Sequence, residues 1–404
     1  MISEIQRIRM NAHAKIILKP GKEQSVMRLH PWIFSGAIKK TDGSLQEGDI
    51  VEVFSHEQDF LAMGHYQIGS IAVRIFSFQQ VSPDAGFWKQ KLEVAYNLRK
   101  ALNLTNNKET NVYRLVNGEG DGMPGLIIDY YNGVVVMQMH SIGMYRLRDQ
   151  IAGAIMELYP HALAAIYDKS ESTLPFKANL GARNEFLLGS ISTVEVLENG
   201  YRFGIDVATG QKTGFFIDQR DNRQLLKQYA CDKTILNMFC YTGGFSVYAL
   251  GGGAALVHSV DSSPQAVELT EKNVDINGWK EPRHKTIQAD AFGYMNTIRD
   301  AYDVIILDPP AFAKHQDALN NALQGYKRLN AKAIEQIRSG GILFTFSCSQ
   351  VVSKDNFRKS VFAAAANTGR HVRILHQLTQ PPDHPVSIYH PEGEYLKGLV
   401  LQVE

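Results

Sequence analysis

Short apolar runs alternate with amphipathic segments from residue 234 onwards, and this alternation constrains the fold more than any other feature of the chain. The apolar runs have the length of β-strands, and the segments between them have the apolar spacing of helices. Strands are predicted at 234–239, 256–260, 285–289, 303–307, 342–347, 371–378 and 396–403, and helices at 245–251, 264–277, 291–300, 316–338 and 354–368. This order predicts βαβ units and a mostly parallel, doubly wound α/β sheet.

Two smaller units are predicted before this sheet. Short runs separated by glycines indicate a β-rich domain at 14–80, and mixed helices and strands indicate a central α+β domain. In the central domain we predict helices at 87–102 and 145–158 and strands at 126–130, 134–139 and 164–167. The glycine-rich segment 117–122 is interpreted as a turn before the first of these strands, because no helix follows it. The predicted domains are 1–82, 83–190 and 191–404, the last opening with a hairpin at Asn199-Gly200.

The composition is that of an ordinary globular protein, with 404 residues of which 44% are hydrophobic and 21% charged. No run approaches the roughly 20 apolar residues that span a bilayer, and the first residues lack the apolar core of a signal peptide. We therefore expect a cytoplasmic protein with no membrane partner. The cysteines Cys231, Cys240 and Cys348 form no disulfide framework, and no CxxC pair or His/Cys cluster predicts a metal site.

Charge is unevenly distributed near the N-terminus. Residues 1–40 carry eight Lys or Arg against two acids, whereas residues 41–60 carry six acids and no Lys or Arg. A local excess of positive charge is compatible with nucleic acid binding. On charge alone, a solvated surface of mixed sign explains the pattern better.

Acidic residues follow three successive predicted strands, at Asp261, Asp290 and Asp308. The strand before them ends in the glycine-bearing turn 237–244, which is neither GxGxxG nor a P-loop. Because the carboxyl ends of parallel strands face the ligand crevice, we expect these carboxylates near that turn. Asp261 can accept hydrogen bonds from ribose and Asp290 can take an adenine amine, so S-adenosylmethionine fits better than NAD. Each aspartate taken alone could instead cap a helix.

A thiol and a carboxylate are predicted at the same edge of the sheet. Cys348 follows the run 342–347, and Asp308 follows the run 304–307. This pair suits chemistry on an electron-poor heterocycle, which the thiol attacks and the acid polarises. The alternative for Cys348 is a buried, inert thiol. Cys231 and Cys240 lack this context, and we expect them to be structural.

Nine short segments carry a resemblance to a known family. They are 30–36 (HPWIFSG), 120–125 (GDGMPG), 212–220 (KTGFFIDQR), 241–245 (YTGGF), 308–310 (DPP), 325–327 (GYK), 345–349 (TFSCS), 383–385 (DHP) and 391–393 (PEG). In this order they resemble the ribosomal RNA large-subunit methyltransferase I family, which are cytosine-C5 methyltransferases with an N-terminal PUA domain. The resemblance covers nearly the whole chain after residue 14.

The resemblance implies an RNA-binding PUA fold at 14–80, a class I methyltransferase domain at 200–404, and large-subunit (23S) ribosomal RNA as partner. It implies that Cys348 is the nucleophile, with Asp308 as our candidate for the acid near N3 of cytosine. The residues predicted to form the S-adenosylmethionine pocket are Phe216, Asp218, Gln219, Arg220, Phe239, Tyr241, Thr242, Gly243, Asp261, Asp290 and Asp308. The sequence leaves open whether the protein is a monomer or a homodimer.

The implied reaction begins when the Cys348 thiolate adds to C6, which makes C5 nucleophilic. A thiol with an unperturbed pKa of about 8.5 is mostly protonated at neutral pH, so a nearby cation, the sulfonium or a lysine, should favour ionisation. Two positions depart from related enzymes. Ala311 follows the motif prolines where broader RNA cytosine-C5 methyltransferases carry a second cysteine for product release, and Asn237 stands where many class I enzymes have an acid.

Two other functions stay open at this point. The segment 308–310 resembles a motif that grips an exocyclic amine, which would mean methylation of a base nitrogen, although Ala311 separates Phe312 from the prolines. The other alternative is a non-catalytic RNA-binding or ribosome-assembly protein with a relic pocket. The acids at positions 261, 290 and 308 argue against it.

Overall fold

The computed structural model describes residues 13–175, 181–279, 282–313 and 315–404. Two of the eight basic residues counted in the segment 1–40, Arg7 and Arg9, lie outside the described residues. In the described part of the chain, no helix is both long and apolar enough to cross a membrane. The described strands form four sheets of six, five, two and seven strands.

The six-stranded sheet is formed by the N-terminal domain. Its strands are β1 (Ala14–Leu18), β2 (Trp32–Phe34), β3 (Ile38–Thr41), β4 (Ile50–Phe54), β5 (Phe60–Tyr66) and β6 (Ile71–Ser77), with one short helix, α1 (Gln24–Met27). They are ordered β2-β6-β5-β4-β1-β3. Alternate side chains such as Val51 and Val53 are fully buried, as expected for a sheet with one face on a core.

The five-stranded sheet is formed by the central domain, in the order β11-β10-β9-β8-β7. Helix α2 begins where Asp84 accepts a hydrogen bond from the Phe87 amide at 3.0 Å, and it buries Trp88 and Leu92 at helical spacing. The elements are α2 (Ala85–Ala101), β7 (Val112–Asn117), β8 (Leu126–Tyr131), β9 (Val134–Met139), α3 (Ile142–Arg146), α4 (Arg148–Leu158), β10 (Ala165–Asp168) and β11 (Glu185–Leu188).

The central domain differs from the sequence prediction at two places. The helix predicted at 145–158 is two helices, α3 and α4, which meet at Leu147. The glycine-rich turn lies between two strands, because β7, which the sequence analysis missed, precedes it. A Cβ added at Gly120 would lie 1.9 Å from the Pro385 carbonyl oxygen, so this turn needs glycine for close packing.

A two-stranded hairpin, β12 (Thr193–Glu198) and β13 (Tyr201–Asp206), connects the central domain to the last sheet. Asn199 and Gly200 have φ values of 50° and 81°, which are the left-handed conformations of a tight hairpin turn. The hairpin predicted at this dipeptide is confirmed.

The seven-stranded sheet has the order β16-β15-β14-β17-β18-β20-β19, and every pairing is parallel except those of β20. The predicted doubly wound α/β fold is therefore confirmed. The strands are β14 (Thr234–Met238), β15 (Leu256–Asp261), β16 (His284–Gln288), β17 (Val304–Leu307), β18 (Gly341–Ser347), β19 (Val372–Leu378) and β20 (Lys397–Val403). The helices are α5 (Arg220–Leu226), α6 (Gly244–Gly251), α7 (Pro264–Asp275), α8 (Ala291–Met295), α9 (Leu319–Gln336) and α10 (Lys354–Thr368).

Residues 379–395, which we call the linking segment, run from β19 to β20 and contact both smaller domains. Asp383 Oδ2 accepts hydrogen bonds from Arg220 Nη2 at 2.7 Å and from the Arg114 amide at 3.0 Å. Burial alone would raise the pKa of Asp383, but the charges of Arg220 and His384 hold it well below its usual range. At the other end, the ring of His390 lies 4.3 Å from that of Trp32 in the N-terminal domain.

Candidate active site

The chain ends that follow β17 and β18 lie side by side at the carboxyl edge of the seven-stranded sheet. The two strands are parallel neighbours, and Leu307 pairs with Thr345. Asp308 directly follows the first strand and Cys348 directly follows the second, so the sheet brings the predicted carboxylate and thiol together. Both side chains are partly buried. This is the arrangement that the two sequence runs predicted.

Asp308 lies in surroundings that favour the protonated form of its carboxyl group. Burial is the main cause and the neighbouring Asp218 carboxylate the second, and together they raise the pKa of Asp308 to about 7. Gln219 Nε2 donates a hydrogen bond to Asp308 Oδ2 at 3.0 Å. A carboxyl group with this pKa can both give and accept a proton near neutral pH.

Asp218 is the opposite case, a buried carboxylate that stays ionised. Burial would raise its pKa, but Lys212, whose Nζ lies 3.9 Å from Oδ2, and His384 hold the pKa below its usual value. Tyr395 donates a hydrogen bond from its hydroxyl group to Asp218 Oδ2 at 2.7 Å. The two aspartates therefore form a pair with divergent protonation states, which is typical of catalytic sites.

The Cys348 thiol is close enough to both aspartates to be affected by their charges. Burial raises the pKa of its thiol, the charges of Asp308 and Asp218 raise it further, and Lys212 and Lys397 lower it. Cys240 lies in a different setting, where burial raises the pKa to about 12 and Thr270 Oγ1 lies 3.4 Å from the sulfur. Cys231 is exposed.

The turn after β14 has a left-handed backbone conformation at three positions. Phe239, Tyr241 and Gly243 have φ values of 59°, 45° and 76°. At Gly243 an added Cβ would lie 2.7 Å from Thr270 Cγ2, so the glycine is required both by conformation and by space. Thr242 is buried, and its carbonyl oxygen accepts a hydrogen bond from Asn273 Nδ2 at 2.9 Å.

Asp261 lies against this turn at the end of β15. Its Oδ2 accepts a hydrogen bond from the Tyr241 amide at 3.2 Å, and its Oδ1 accepts one from the Ser263 amide at 3.0 Å. A carboxylate has about four lone-pair sites, so two remain for a ligand. Asp290 is exposed and caps α8, where its Oδ2 accepts a hydrogen bond from the Gly293 amide at 2.8 Å.

The predicted pocket residues from the segment 216–220 lie in two environments. The ring of Phe216 lies 5.1 Å from that of Tyr241, so this aromatic residue covers the turn. Arg220 is buried instead against carboxylates, with Asp383 Oδ2 at 2.7 Å and Glu198 Oε2 at 3.8 Å. Its guanidinium group stabilises the contact with the linking segment, and a contact with a cofactor stays a prediction.

Sequence reasoning did not identify two polar residues at this edge, Tyr395 and Lys397. Both lie where the linking segment enters β20, and Lys397 Nζ donates hydrogen bonds to the Tyr395 carbonyl at 2.8 Å and to the Ser349 carbonyl at 2.5 Å. The available signal was a lysine within the predicted apolar strand 396–403. Charged residues are rarely buried unless they are paired or functional.

The donors and acceptors at this edge fit S-adenosylmethionine. Asp218 Oδ1 is buried and accepts no hydrogen bond from any described residue, and such an oxygen suits an ammonium group of the cofactor's methionine part. Asp261 keeps acceptor sites for ribose hydroxyl groups. The order of the strands and the glycine turn after the first of them are those of a class I methyltransferase.

Comparison with known proteins agrees with this class. The family model for S-adenosylmethionine-dependent methyltransferases matches residues 115–398, and that for PUA-like domains matches residues 16–78. A crystal structure of the methyltransferase SMU.776 complexed with SAH has a TM-score of 0.84 and 25% identity, covering 96% of this chain and 100% of that one. The protein is therefore a methyltransferase that uses S-adenosylmethionine and carries a PUA-like domain.

Full-length relatives define the family more closely. A ribosomal RNA large subunit methyltransferase I from Pseudoalteromonas atlantica is 42% identical over 396 residues, covering 96% of this chain and 99% of the relative. Proteins of the same name from Klebsiella pneumoniae and Escherichia coli O157:H7 are 37% and 36% identical, again over 96% of this chain and over 98% and 99% of the relatives. The chain belongs to the ribosomal RNA large subunit methyltransferase I family.

Proposed function

We propose that this protein methylates C5 of a cytosine in 23S ribosomal RNA through a covalent adduct with Cys348. The observation that carries the proposal is the juxtaposition of Cys348 with Asp308, a carboxyl group whose pKa is raised to about 7 by burial and by Asp218. A cytosine held between them has a nucleophile for C6 and a proton donor for N3. Methylation of a nitrogen needs no thiol at this position.

The proposed reaction starts at C6, because C5 of cytosine is too weak a nucleophile to react directly. The Cys348 thiolate forms a bond to C6 while Asp308 gives its proton to N3, and the ring becomes an enamine with a nucleophilic C5. Bound S-adenosylmethionine supplies the electrophilic methyl group. Water takes the proton from C5, the bond between sulfur and C6 breaks, and N3 returns its proton to Asp308, which restores the aromatic ring and frees Cys348 as the thiolate.

The proposed cofactor contacts lie at the same carboxyl edge of the seven-stranded sheet. We assign Asp261 to the ribose hydroxyl groups, the turn 239–243 to the side of the adenosine, and Asp218 to the ammonium group. Asp290 has a free oxygen for the adenine amine, since only its Oδ2 caps α8. Phe216, Gln219 and Arg220 shape the pocket from the other side.

An exposed apolar face on the N-terminal domain and the linking segment is the proposed RNA surface. We call it the aromatic face, and it consists of the exposed residues Met27, Leu29, Phe34, Ile388 and Tyr389. Leu29 and Tyr389 line one open cleft of about 620 Å³, and the ring of Phe34 lies 6.3 Å from that of His30. The described part of residues 1–40, which includes three residues of the aromatic face, contains six Lys or Arg and one acid, Glu23. Exposed aromatic rings in a domain with an excess of positive charge in this segment suit unpaired nucleotides, which stack on such rings.

Removal of aromatic side chains from this face should weaken RNA binding. We expect Phe34→Ala with Tyr389→Ala to reduce affinity for deproteinised large-subunit ribosomal RNA by roughly 1–3 kcal/mol for each lost stacking contact, measured by filter binding. The matched control is Phe362→Ala on α10, where the side chain is 73% exposed. Equal losses in the two variants would remove the aromatic face from the RNA surface, and S-adenosylmethionine affinity should stay unchanged in both.

The proposed function is tested by nucleoside analysis of ribosomal RNA from cells with and without the gene. We expect the loss of one 5-methylcytidine from 23S RNA and its return when the gene is restored. Because 5-methylcytidine and N4-methylcytidine have equal mass, the two isomers must be separated by chromatography against standards. Loss of a nitrogen-methylated nucleoside, or of none, would contradict the proposal.

A further inference from the structure

Lys397 is a buried lysine whose ammonium group has no carboxylate partner in the described part of the chain. The residue is 5% exposed, and no carboxylate among the described residues lies within 4.0 Å of its nitrogen. Its contacts are the two main-chain carbonyls of Ser349 and Tyr395. A buried charge held only by carbonyl dipoles is costly, and such residues are retained mainly where the charge has a task.

The position of Lys397 indicates that its charge acts on Cys348. In the antiparallel pairing of β18 with β20, Lys397 lies opposite Ser347, the residue before Cys348. Its nitrogen bonds to the carbonyl of Ser349, the residue after Cys348. The main chain of Lys397 is thus fixed beside the residue before the cysteine, and its ammonium group is fixed to the residue after it.

We propose that Lys397 is a positioning residue whose ammonium charge favours the nucleophilic thiolate of Cys348 over the protonated thiol. The proton of the thiol leaves to water, and the thiolate that remains is stabilised by the ammonium charge. The proposal rests on the proposed role of Cys348, and it assigns to this chain's own lysine the task of opposing the effects of burial and of the two aspartates on the thiol.

The other charges around the pair act in both directions. On Cys348, Asp308 and Asp218 oppose ionisation, and Lys212 favours it together with Lys397. Of the two lysines, Lys212 lowers the pKa of Cys348 more in the absence of screening. Its side chain is 50% exposed and its nitrogen lies 3.9 Å from the Asp218 carboxylate, so water and Asp218 screen its charge.

Lys397 itself has two charged neighbours besides the thiol, Lys354 and Glu394, which pair with each other at 2.7 Å. Burial lowers the pKa of Lys397 to about 8, and the sulfur of Cys348 opposes this effect. At neutral pH the ammonium form therefore prevails, and it is lost at alkaline pH.

The test measures the reactivity of Cys348 with iodoacetamide between pH 5.5 and 10, in the full-length protein without RNA. The exposed Cys231 is first replaced by serine, and alkylation of the peptide that contains Cys348 is followed by mass spectrometry. We expect Lys397→Met to reduce alkylation at pH 7, where the ammonium charge is present, by about tenfold, the equivalent of a one-unit rise in the pKa of the thiol. Lys212→Met should give a smaller reduction.

Lys397→Arg is the second variant, and it keeps a positive charge over the whole range. It should retain neutral-pH reactivity and lack the alkaline loss of charge that lysine undergoes. If Lys397→Met does not fold, the arginine variant provides the test. An alkylation profile of Lys397→Arg that equals the wild-type profile at high pH would overturn the proposal. An unshifted profile in a folded Lys397→Met protein would overturn it as well. Because the assay needs no RNA, failure here stays distinct from failure of the proposed function, which the ribosomal RNA analysis reports.

Discussion

RNA transcribed with 5-fluorocytidine in place of cytidine is expected to become covalently attached to the wild-type protein in the presence of S-adenosylmethionine. Fluorine at C5 cannot leave as a proton does, so the bond between C6 and Cys348 cannot be broken after methyl transfer. The adduct should survive a denaturing gel. Cys348→Ser should form almost none, and its methylation rate should fall by at least about a thousandfold, as for other covalent nucleophiles.

The matched control for this prediction is Cys231→Ser, which removes an exposed thiol elsewhere on the protein and should leave the adduct intact. Cofactor affinity, measured by calorimetry, should be equal in the wild type and in Cys348→Ser, because the thiol contacts the base. An active Cys348→Ala protein would end the C5 proposal and favour methylation of a nitrogen.

Replacement of Asp308 should abolish activity and at the same time stabilise the protein at neutral pH. Asp308→Asn removes the proton that N3 receives, and loss of a general acid costs about 10²–10⁴ in rate. Cofactor affinity is expected to fall much less than in Asp261→Ala, which loses a charge-assisted contact of roughly 1.5–3 kcal/mol. Single-turnover methylation and calorimetry separate the two effects.

The stability effect of Asp308→Asn depends on pH in a defined direction. The folded pKa of Asp308, about 7, lies above the reference value of 3.8, so the folded state holds the proton more tightly than the unfolded state. This contribution to stability is complete below pH 3.8 and is lost as pH rises to about 7.

The asparagine side chain of this variant cannot ionise. Its free energy of unfolding, relative to that of the wild type, should therefore increase by about 1–3 kcal/mol between pH 4 and pH 8. This range is smaller than the full pKa shift would give, because Asp308 is partly exposed to water. Urea unfolding at the two pH values measures this gain. An equal difference at both would show that the pKa of Asp308 is not raised in the folded protein.

The fold of the catalytic sheet was predictable because each of its strands carries its own signal. The run before Asp308 is completely buried on both faces, as in a parallel sheet covered by helices, and the same property made it visible as an unbroken apolar run. The carboxyl-edge rule then placed Asp308 and Cys348 together without any distance information. Strand β7 was missed because Arg114 interrupts its apolar pattern, and the partner that accepts this charge, Asp129, is supplied by β8.

The protonation states at the site were not predictable from the sequence. They depend on which charges lie near one another, and Asp218, Asp308 and Lys397, from three separate parts of the chain, all act on Cys348. The sequence suggested that a lysine would favour the thiolate but could not choose among candidates, because the antiparallel pairing that places Lys397 opposite Ser347 is not visible in the sequence. Arg220 shows the same limit, since its partner Asp383 lies 163 residues away.

The linking segment has a consequence for how the two ligands influence each other. Tyr389 on the aromatic face and Tyr395 beside Asp218 belong to one short stretch of chain, which Asp383 anchors to Arg220 and Arg114. If RNA makes this stretch more rigid, part of the entropy lost in ordering the pocket has already been spent when S-adenosylmethionine arrives. Thermodynamic linkage then requires reciprocity: the factor by which RNA tightens cofactor binding equals the factor by which the cofactor tightens RNA binding.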